Sequence, residues 1–598
     1  MSGNSVAGND IAASGHTGRL RPAWALVALL VFVAAAPFAL NLAGDAQVHL
    51  AIAESFARGH PFQYNPGGER VVASTSPFWT MLLALFYRLV GNWTPALLTA
   101  TAVILWLSAG YVLYRAARDL WRLRGVALWG VVLLWLAHGT LVANALGGLE
   151  NVAAALQLLL LYYLLGTNDE RRITADHRPP TPGPLPRYAL IGLLLGWALL
   201  TRPDGGLFAA LLVVLALPLA SSPVGRKSSA EAGQARRSAP TPWGLAAMLL
   251  VAAAVLLPWF AYQYAATGRL LTDSSVARLY NGRMGSLMLI PNLLYLHPKP
   301  LLSLASAFLP LGAGFLLFAG ALAAAFVRAS RARLAFYRAR WPEIAAVVLV
   351  VAGFLFYTVV VGAEAFGRYF LPLFPFFFLA GVAGLVLAYD RLTAAGHQRL
   401  ALALVVLSTL FLAATGALDT YRRLGPGRFA PASALDVIRG PADRRYYAAN
   451  VPFLIRAPAR RGALTDEFFD DLGASGAEHV SIAVTEVQLR YFLDDRVTVL
   501  SLDGRTSADI LRYVDPISGV PDFGRYFDAA RPDYVHVRQW CAVGGWLAGV
   551  FPSRIRDNLV CDWERRAAEM APGDGFDWHG RRVTLVAPDI VRIDWAGP

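Results

Sequence analysis

The residues of this chain that could do chemistry are acids standing directly beside long apolar segments. Asp45 follows the first apolar run and opens a polar stretch that continues to Glu69. A carboxylate at the edge of the hydrocarbon is costly, so such acids are functional hypotheses by default. His49 lies one helical turn beyond Asp45, where it could orient the carboxylate or share a metal with it. Alternatively, Asp45 caps a helix that starts at residue 46, since aspartate is a favoured N-cap residue.

A second acid and an arginine stand beside other apolar segments. Glu150 opens one segment two residues after the glycine pair Gly147-Gly148, and Arg202 precedes another segment. In the first turn of a helix, Glu150 could bind a ligand at the face that holds Asp45, or merely complement the helix dipole. Asp204 lies two residues after Arg202, so the arginine could bind an anion or form a structural ion pair.

The composition is that of a polytopic membrane protein. Of the 598 residues, 56% are hydrophobic and 16% are charged, with a mean hydropathy of +0.47, whereas soluble domains carry about 25% charged residues. The net charge of +13 does not indicate nucleic-acid binding, because the basic residues sit in short loops between apolar runs. Those loops contain Arg115, Arg118, Arg122 and Arg124; Arg171, Arg172, Arg178 and Arg187; Arg226, Lys227, Arg236 and Arg237; Arg328, Arg331, Arg333, Arg338 and Arg340; and Arg391 and Arg399.

Placing every basic loop in the cytoplasm predicts about eleven transmembrane helices. Residues 1–21 form a disordered cytoplasmic N-terminus, and 22–418 form the membrane core with an outer loop at 43–94. The apolar run that starts at Pro77 is an interfacial helix on the outer surface, since its crossing would invert the later loops. The predicted spans are 22–42, 95–114, 125–142, 151–166, 188–202, 206–222, 243–264, 301–326, 343–362, 369–388 and 400–418. Asp45, Glu150, the 265–300 loop and the C-terminal region then lie outside.

Residues 419–598 have the composition of a soluble domain, predicted to be an extracytoplasmic α/β domain. Short β-type runs begin at Val480, Val497, Tyr534 and Val583, with helical stretches between them. This domain could hold an acceptor or simply pack on the membrane core. The two cysteines of the chain, Cys541 and Cys561, lie in it, and outside the cytoplasm they could form a disulfide or remain two thiols.

Several motifs follow one another on the predicted outer face. They are Gly44-Asp45-Ala46, Asn65-Pro66-Gly67-Gly68-Glu69-Arg70, Ser74-Thr75-Ser76-Pro77-Phe78-Trp79, Gly147-Gly148-Leu149-Glu150-Asn151, Leu200-Thr201-Arg202-Pro203-Asp204-Gly205, Tyr264-Ala265-Ala266-Thr267-Gly268 with Thr272-Asp273-Ser274, and Gly367-Arg368-Tyr369-Phe370-Leu371-Pro372. In order, spacing and membrane side this set resembles the GT-C-type membrane glycosyltransferases. Within them it looks most like the bacterial cell-wall arabinofuranosyltransferases.

The resemblance implies transfer of a sugar from a polyprenyl-phosphate donor to a cell-envelope glycan or lipid acceptor, with inversion at the anomeric carbon. The acceptor hydroxyl is a poor nucleophile and needs a general base, for which Asp45 is the candidate. The lipid phosphate that leaves needs cationic stabilisation, for which Arg202, Arg278 and Arg368 are the candidates. Glu150 would then be a ligand of the acceptor sugar.

Further expectations concern the substrate and the metal. Trp79, with Phe78, could stack on a sugar or be an ordinary interfacial aromatic. Glu364 and Arg368 have the spacing of a helical salt bridge, an alternative to substrate contact. The family commonly has a second acid where this chain has Gly44, which puts a carboxylate pair in doubt. No cofactor is certain, and a divalent metal would be compatible with these residues.

The predicted location is the bacterial inner membrane, with the site facing the periplasm and membrane lipids as partners. No Gly-rich phosphate loop indicates a nucleotide-sugar site, and no nucleic acid is expected. The loop 265–300, with Arg278 and Lys299, could close over the donor or be a plain interfacial segment. Two alternatives remain: a lipid-linked saccharide transporter or flippase, and a non-catalytic membrane protein whose outer domain binds envelope glycan.

Overall fold

The computed structural model describes residues 29–65, 67–167, 184–220, 242–270, 272, 298–357, 368–424, 439, 464–484, 487–502, 509–513, 522–537 and 559–595. A helical bundle comes first along the chain and a sheet domain follows it. The helices of the bundle are α1 (Leu29–Phe38), α2 (Gly44–Ala57), α3 (Pro77–Val90), α4 (Thr94–Asp119), α5 (Gly125–Ala137), α6 (Gly139–Leu146), α7 (Asn151–Gly166), α8 (Pro184–Thr201), α9 (Pro203–Ala220), α10 (Pro242–Thr267), α11 (Pro298–Arg328), α12 (Arg333–Ala339), α13 (Trp341–Leu355), α14 (Phe374–Ala394) and α15 (Gln398–Leu424).

Prolines set many of the helix starts. Proline is favoured in the first turn because its missing N–H would be unsatisfied there in any case. Examples are Pro77 in α3, Pro95 in α4, Pro342 in α13 and Pro375 in α14. Pro203 likewise starts α9 two residues after α8 ends, which divides one apolar stretch into two helices.

Among the described residues, five helical stretches are long and apolar enough to cross a membrane, or six if the bent pair α5 and α6 counts as one span. The five are Pro77–Asp119, Trp243–Thr267, Phe308–Arg328, Tyr369–Ala394 and Gln398–Arg422. Shorter apolar helices occupy the other predicted spans. The protein is therefore a multi-pass helical membrane protein, and the count of eleven spans stays a prediction.

The stretch that starts at Pro77 bears on the predicted interfacial helix. Its 43 residues comprise α3 and α4 with a 3₁₀ turn, Gly91–Trp93, between them. At 1.5 Å per residue this is roughly 65 Å, about twice the thickness of a bilayer core. Helix α4 alone, with 26 residues, is long enough to cross. An interfacial α3 fits this length and stays a prediction.

Helix α14 lies at the centre of the bundle, where it buries a continuous aromatic run against α11 and α7. Phe308 of α11 packs at tilted or edge-on angles against Phe374, Phe377 and Phe378 of α14, with ring centroids 5.5 to 5.9 Å apart. The two helices touch through glycines. A Cβ at Gly384 would lie 1.8 Å from the carbonyl oxygen of a glycine on α11, so only glycine fits there. Small residues that allow such close approach are characteristic of membrane helix pairs.

Arginines of several loops lie together at one end of the bundle. At one end, called here the basic end, Arg115 of α4 donates to the hydroxyl of Tyr163 on α7 at 2.8 Å, and Arg187 of α8 donates to the carbonyl of Leu164. Tyr337 of α12 reaches the carbonyl of Leu215 on α9 at this end as well. The opposite end carries the start of α2 and of α7 and contacts the C-terminal domain. The predicted grouping of several basic loops on one side agrees with this arrangement.

The C-terminal domain is a six-stranded mixed sheet with helices. Its strands lie in the order β2-β1-β3-β6-β5-β4, with β1 parallel to β2 and β3 and the remaining pairs antiparallel. The elements are α16 (Asp466–Ala474), β1 (Val480–Val484), β2 (Val497–Ser501), α17 (Phe523–Ala530), β3 (Tyr534–His536), α18 (Leu559–Ala567), β4 (Gly575–Trp578), β5 (Arg581–Ala587) and β6 (Ile590–Ile593).

The structure corrects two details of the domain as predicted. Helix α15 continues to Leu424, because its polar end packs on the α5–α6 break: Asp419 accepts from the backbone and the hydroxyl of Thr140 at 2.7 and 2.9 Å. The change to a separate domain therefore comes after residue 419. One of the helical stretches expected between the strands is a 3₁₀ helix, Asp509–Tyr513, rather than an α-helix.

Candidate active site

Asp45 lies in the first turn of α2 and is half-buried. The N-cap position of this helix is Ala43, and no side-chain hydrogen bond caps it. The alternative of Asp45 as N-cap of a helix starting at residue 46 is therefore wrong, because the helix begins two residues earlier. An acid in the first turn still complements the positive end of the helix dipole.

A glycine turn brings the start of α7 against the start of α2. The N–H of Ala43 donates to the carbonyl of Gly147 at 3.0 Å. Gly148 has a φ of +71°, and a Cβ there would lie 2.9 Å from the side chain of Leu98 and 3.0 Å from that of Leu42. Glycine is required at 148 both for this left-handed backbone and for the close approach. The turn thus sets Glu150 beside α2.

Glu150 occupies the space between α2 and the α8–α9 junction. Its Oε2 faces Nε2 of His49 at 3.6 Å, an ion-pair distance that is longer than a hydrogen bond. Its Oε1 accepts from Nη1 of Arg202 at 2.9 Å, and the same nitrogen donates to Asn151. Burial opposes ionisation of Glu150, yet the facing His49 and the charge of Arg202 lower its pKa to about 2. The carboxylate is therefore held ionised in the interior.

Arg202 is bound just as firmly on its other side. Its Nε and Nη2 donate to the two carboxylate oxygens of Asp204 at 2.9 and 2.8 Å, the fork geometry that gives the strongest ion pairs. Tyr357, after α13, donates to Asp204 at 2.7 Å, and the Arg202 guanidinium lies 5.5 Å from the centre of the Tyr369 ring. We call His49, Glu150, Arg202, Asp204 and Tyr357 the acid–arginine cluster.

The residues between α2 and α3, here the α2–α3 segment (residues 58–76), close over this cluster. Ser74 Oγ lies 3.4 Å from Nδ1 of His49 and 2.7 Å from the hydroxyl of Thr80. Ser76 donates to the carbonyl of Thr201, the residue before Arg202. One segment thus contacts His49 of the cluster and, through Thr201, the residue that precedes Arg202.

The structure brings together four of the predicted site residues, His49, Glu150, Arg202 and Asp204, but in roles that differ from some of those expected. Glu150 is 3% exposed and Arg202 is 9% exposed. Neither is open to a sugar or a phosphate in this conformation, so the geometry favours the structural ion-pair alternative for Arg202 and Asp204. A fixed, neutralising ion pair was one of the two alternatives from sequence.

Trp79 does not have the position that stacking on a sugar needs. Its side chain is fully buried in a core that includes Leu50 of α2. A side chain that stacks on a sugar needs an exposed ring face. Its neighbour Phe78 is half-buried and packs edge-on against Trp197 of α8 at 5.2 Å. Both aromatics serve the packing of α3.

Several predicted residues cannot be placed. Arg278 and Glu364 lie outside the described residues, as does most of the 265–300 loop, and of Arg368 only the backbone, at the start of a 3₁₀ helix, is described. Cys561 is buried on α18 and disulfide-bonded. The other cysteine, Cys541, lies outside the described residues, so the pairing is kept as a prediction.

Sequence reasoning missed two polar residues around the site, Tyr357 and Gln157, and it quoted Asn65 within a motif without giving it a role. Tyr357 gives no local signal, since tyrosine at a helix end is common. Gln157 did give one: a lone polar residue within the apolar α7 is a functional or structural marker in a membrane helix. It donates to the hydroxyl of Thr201 at 2.7 Å and so helps to fix the residue before Arg202.

Metal binding has no support in the part of the chain that the structure describes. There, no three His, Cys, Asp or Glu side chains are grouped so that they could hold a metal ion. His49 faces Glu150 and Ser74, and the other ligands that a shared metal would need are not grouped around it. The divalent metal stays an expectation, and no chemical step is derived through it.

No protein-family model matches the chain, and no curated protein matches it. Among solved structures it is similar to ArnT from Cupriavidus metallidurans in the apo state, with a TM-score of 0.48, 16% identity, and 96% of this chain and 98% of that chain covered. ArnT from the same organism bound to undecaprenyl phosphate has a TM-score of 0.43 and 15% identity, with 85% of this chain and 91% of that chain covered. A third similar structure is the archaeal oligosaccharyltransferase AglB from Archaeoglobus fulgidus in complex with an inhibitory peptide and a dolichol-phosphate. Its TM-score is 0.41 and its identity 14%, with 86% of this chain and 69% of that chain covered. At such TM-scores these similarities carry no argument about function, which is argued below from the chain's own residues.

Proposed function

We propose that the protein is an inverting membrane glycosyltransferase that moves a sugar from a polyprenyl-phosphate donor to an extracytoplasmic glycan or lipid acceptor. The observation that carries the proposal is the position of Asp45. It is half-buried in the first turn of α2, and the next turn of that helix is tied through His49 to the acid–arginine cluster. A carboxylate held in place beside the membrane is suited to act as a general base.

In the proposed reaction Asp45 takes the proton of the acceptor hydroxyl while the oxygen of that hydroxyl attacks the anomeric carbon of the donor sugar. The new glycosidic C–O bond forms as the bond from the anomeric carbon to the phosphate oxygen breaks. The polyprenyl phosphate leaves with the electron pair, and attack from the opposite face inverts the anomeric carbon. The base is needed because a neutral hydroxyl is a weak nucleophile at pH 7.

The leaving phosphate needs a cation, and Arg202 is poorly placed to provide it. Its Nε, Nη1 and Nη2 already donate to Asp204, Glu150 and Asn151. Arg202 is therefore proposed as a positioning residue that holds Glu150 and the start of α9. Arg278 and Arg368 remain the proposed phosphate contacts, as charge-assisted donors to the leaving oxygen.

The orientation follows from the charge of the two bundle ends. Basic loops stay in the cytoplasm, so the basic end is proposed to face inward and Asp45 with the C-terminal domain to face the periplasm of a bacterial inner membrane. An arabinofuranosyl donor is proposed first, because the outer-loop motifs around Asp45 resemble the arabinofuranosyltransferases most.

The test is sugar transfer in membranes that are supplied with polyprenyl-phosphate-linked sugars, arabinofuranose first. Asp45→Asn removes the base and keeps the size of the side chain, so transfer should fall by about 10²- to 10⁴-fold. The matched control is Asp390→Asn, an exposed aspartate near the C-terminal end of α14. It should transfer like the unchanged protein.

Equal transfer by the Asp45→Asn and Asp390→Asn variants would refute the base assignment. Movement of the labelled lipid-linked sugar across the membrane without any new glycosidic bond would identify a flippase instead. Binding of envelope glycan by the C-terminal domain, with neither transfer nor transport, would identify a non-catalytic binding protein.

A further inference from the structure

One side chain of the membrane core, Asn65, hydrogen-bonds to the backbone of a strand in the C-terminal domain, as a neighbouring strand would. The amide of Asn65 in the α2–α3 segment makes two hydrogen bonds to Val499, donating from Nδ2 to its carbonyl and accepting at Oδ1 from its N–H, both at 2.9 Å. Val499 lies in the middle of β2, which is an edge strand of the sheet. Edge strands present unpaired backbone groups, and Asn65 satisfies one donor and one acceptor at once.

An ion pair lies beside this contact. Arg58, at the C-cap of α2, donates to Asp495 at 2.5 Å and to Glu54 at 2.6 Å. Arg490 of the C-terminal domain donates to the same Asp495 at 3.0 Å. Arg58 and Asp495 are about half exposed, and solvent-exposed pairs contribute little to stability. The hydrogen bonds of Asn65 are partly buried and therefore better shielded from water than this ion pair.

Apolar side chains of the α2–α3 segment and of the C-terminal domain also pack against each other. Tyr64 and Val71, on either side of Asn65 in the α2–α3 segment, are 2% and 5% exposed. They belong to one core that also contains Val499 and Phe492 of the C-terminal domain. A shared core means that the domain and the segment move together.

The same segment is also held at its two ends, and its C-terminal end contacts His49 of the acid–arginine cluster. Ser55, at the end of α2, donates to the carbonyl of His60 at 3.0 Å and fixes how the segment leaves the helix. At the other end Ser74 contacts His49, and Ser76 donates to the carbonyl of Thr201. The segment is thus held at its middle by the C-terminal domain and in turn contacts the residues around Glu150.

We propose that the C-terminal domain is a positioning element of the active site, and that Asn65, by pairing with the edge of β2, holds the α2–α3 segment against His49 and Thr201. The kinetic part of this proposal rests on the proposed function; the structural part does not. Asn65 acts through the segment and touches no reacting atom, so it is a positioning residue.

The structural part is tested by hydrogen exchange on the full chain in lipid nanodiscs. Asn65→Ala removes both hydrogen bonds, so the peptide over β2 should exchange roughly five- to tenfold faster. The peptide over residues 74–76 should also exchange faster, although it lies away from the substitution. Asn65→Asp keeps the acceptor for the N–H of Val499 and should restore part of the protection of β2. His60→Ala is the control, because this side chain of the same segment is exposed.

The kinetic part is tested in the transfer assay. Misplacement of a catalytic group by about 1 Å costs on the order of 10²-fold, so Asn65→Ala should lower kcat by about 10- to 100-fold. The KM for the lipid-linked donor should stay unchanged, because the segment is proposed to position and not to bind the donor. A purely structural role would lower the amount of folded protein and leave kcat per folded molecule as it was.

The outcomes separate the two proposals. Faster exchange over β2 with unchanged exchange over residues 74–76 and unchanged kcat would overturn the coupling. So would unchanged exchange at both places. If the unchanged protein and Asp45→Asn are equally inactive, the proposed function fails, and the exchange over residues 74–76 alone decides whether the C-terminal domain positions the segment.

Discussion

His49 and Glu150 face each other across the start of α2 and α7, with 3.6 Å between Nε2 and Oε2 and with side chains that are 5% and 4% exposed. Taking a carboxylate out of water is costly unless it is paired and hydrogen-bonded. Glu150 meets that requirement through Arg202, at 2.9 Å. The helix that carries Asp45 is therefore tied to the buried Glu150–Arg202 ion pair.

The first prediction concerns the hydrogen bonds that the Arg202 guanidinium donates to Asp204 and Glu150. Arg202→Lys keeps the charge but cannot donate to both oxygens of Asp204 and to Glu150 together. Breaking a buried pair costs about 3–5 kcal/mol, so the apparent melting temperature in detergent should fall strongly. The KM for the donor should not change. A raised donor KM with an unchanged melting temperature would instead make Arg202 a phosphate contact.

The second prediction concerns the turn that places Glu150. Gly148→Ala forces a Cβ to within 2.9 Å of Leu98 at a φ of +71°. Strain and overpacking of this kind cost about 1–3 kcal/mol each, so the variant should melt earlier and transfer more slowly. Gly130→Ala on α5 is the matched control, because nothing lies within 4 Å of the added Cβ. Equal melting of the two variants would contradict a required glycine at 148.

The third prediction is a pH dependence of stability. The pKa of Glu150, which lies before α7 begins, falls from 4.5 to about 2 in the folded protein. Because the folded pKa is below the unfolded one, the stabilisation is complete above pH 4.5 and is lost as the pH falls from there towards 2. A shift of this size corresponds to on the order of 3 kcal/mol.

The measurement is the apparent melting temperature between pH 6 and 3, roughly the window that the shift defines. Glu150→Gln should be less stable at neutral pH and should show a flatter profile than the unchanged protein. Glu569→Gln, an exposed glutamate after α18, should keep the original slope. A Glu150→Gln profile with the original slope would mean that another carboxylate accounts for the acid sensitivity.

Much of the bundle could be predicted because hydropathy and loop charge are local properties. The spans at 95–114 and 151–166 fall within α4 and α7. In a membrane, an apolar run of that length satisfies its backbone hydrogen bonds by forming a helix. The strand expected at Val480 is β1, since Val480, Ile482 and Val484 are β-branched residues, which favour strands. The break of the 125–142 span at His138, with a bend of 47°, was not predicted, because it depends on the docking of α15 at Gly139.

The site was predicted in its members and less well in their roles. The residue types and the outer face marked His49, Glu150, Arg202 and Asp204, because charged residues next to apolar runs are conspicuous in a sequence. The Arg202–Asp204 pair was one of the alternatives from the sequence, whereas the pairing of Glu150 with His49 and Arg202 depends on distances between helices far apart in the chain. Trp79 illustrates the same limit: its burial follows from the packing of α2 against α3.

The last prediction concerns the side of the membrane that the site faces. His60 follows α2 and Arg122 lies between α4 and α5 near the basic end, and both side chains are exposed. Cysteines placed there by His60→Cys and Arg122→Cys should react with a membrane-impermeant maleimide from opposite sides, position 60 in intact cells and position 122 only after lysis, because arginine-rich loops remain in the cytoplasm. Labelling of position 60 only after lysis would place α2 at the cytoplasmic surface. An acceptor outside the membrane could then not reach Asp45, and the proposed reaction would fail for want of a substrate.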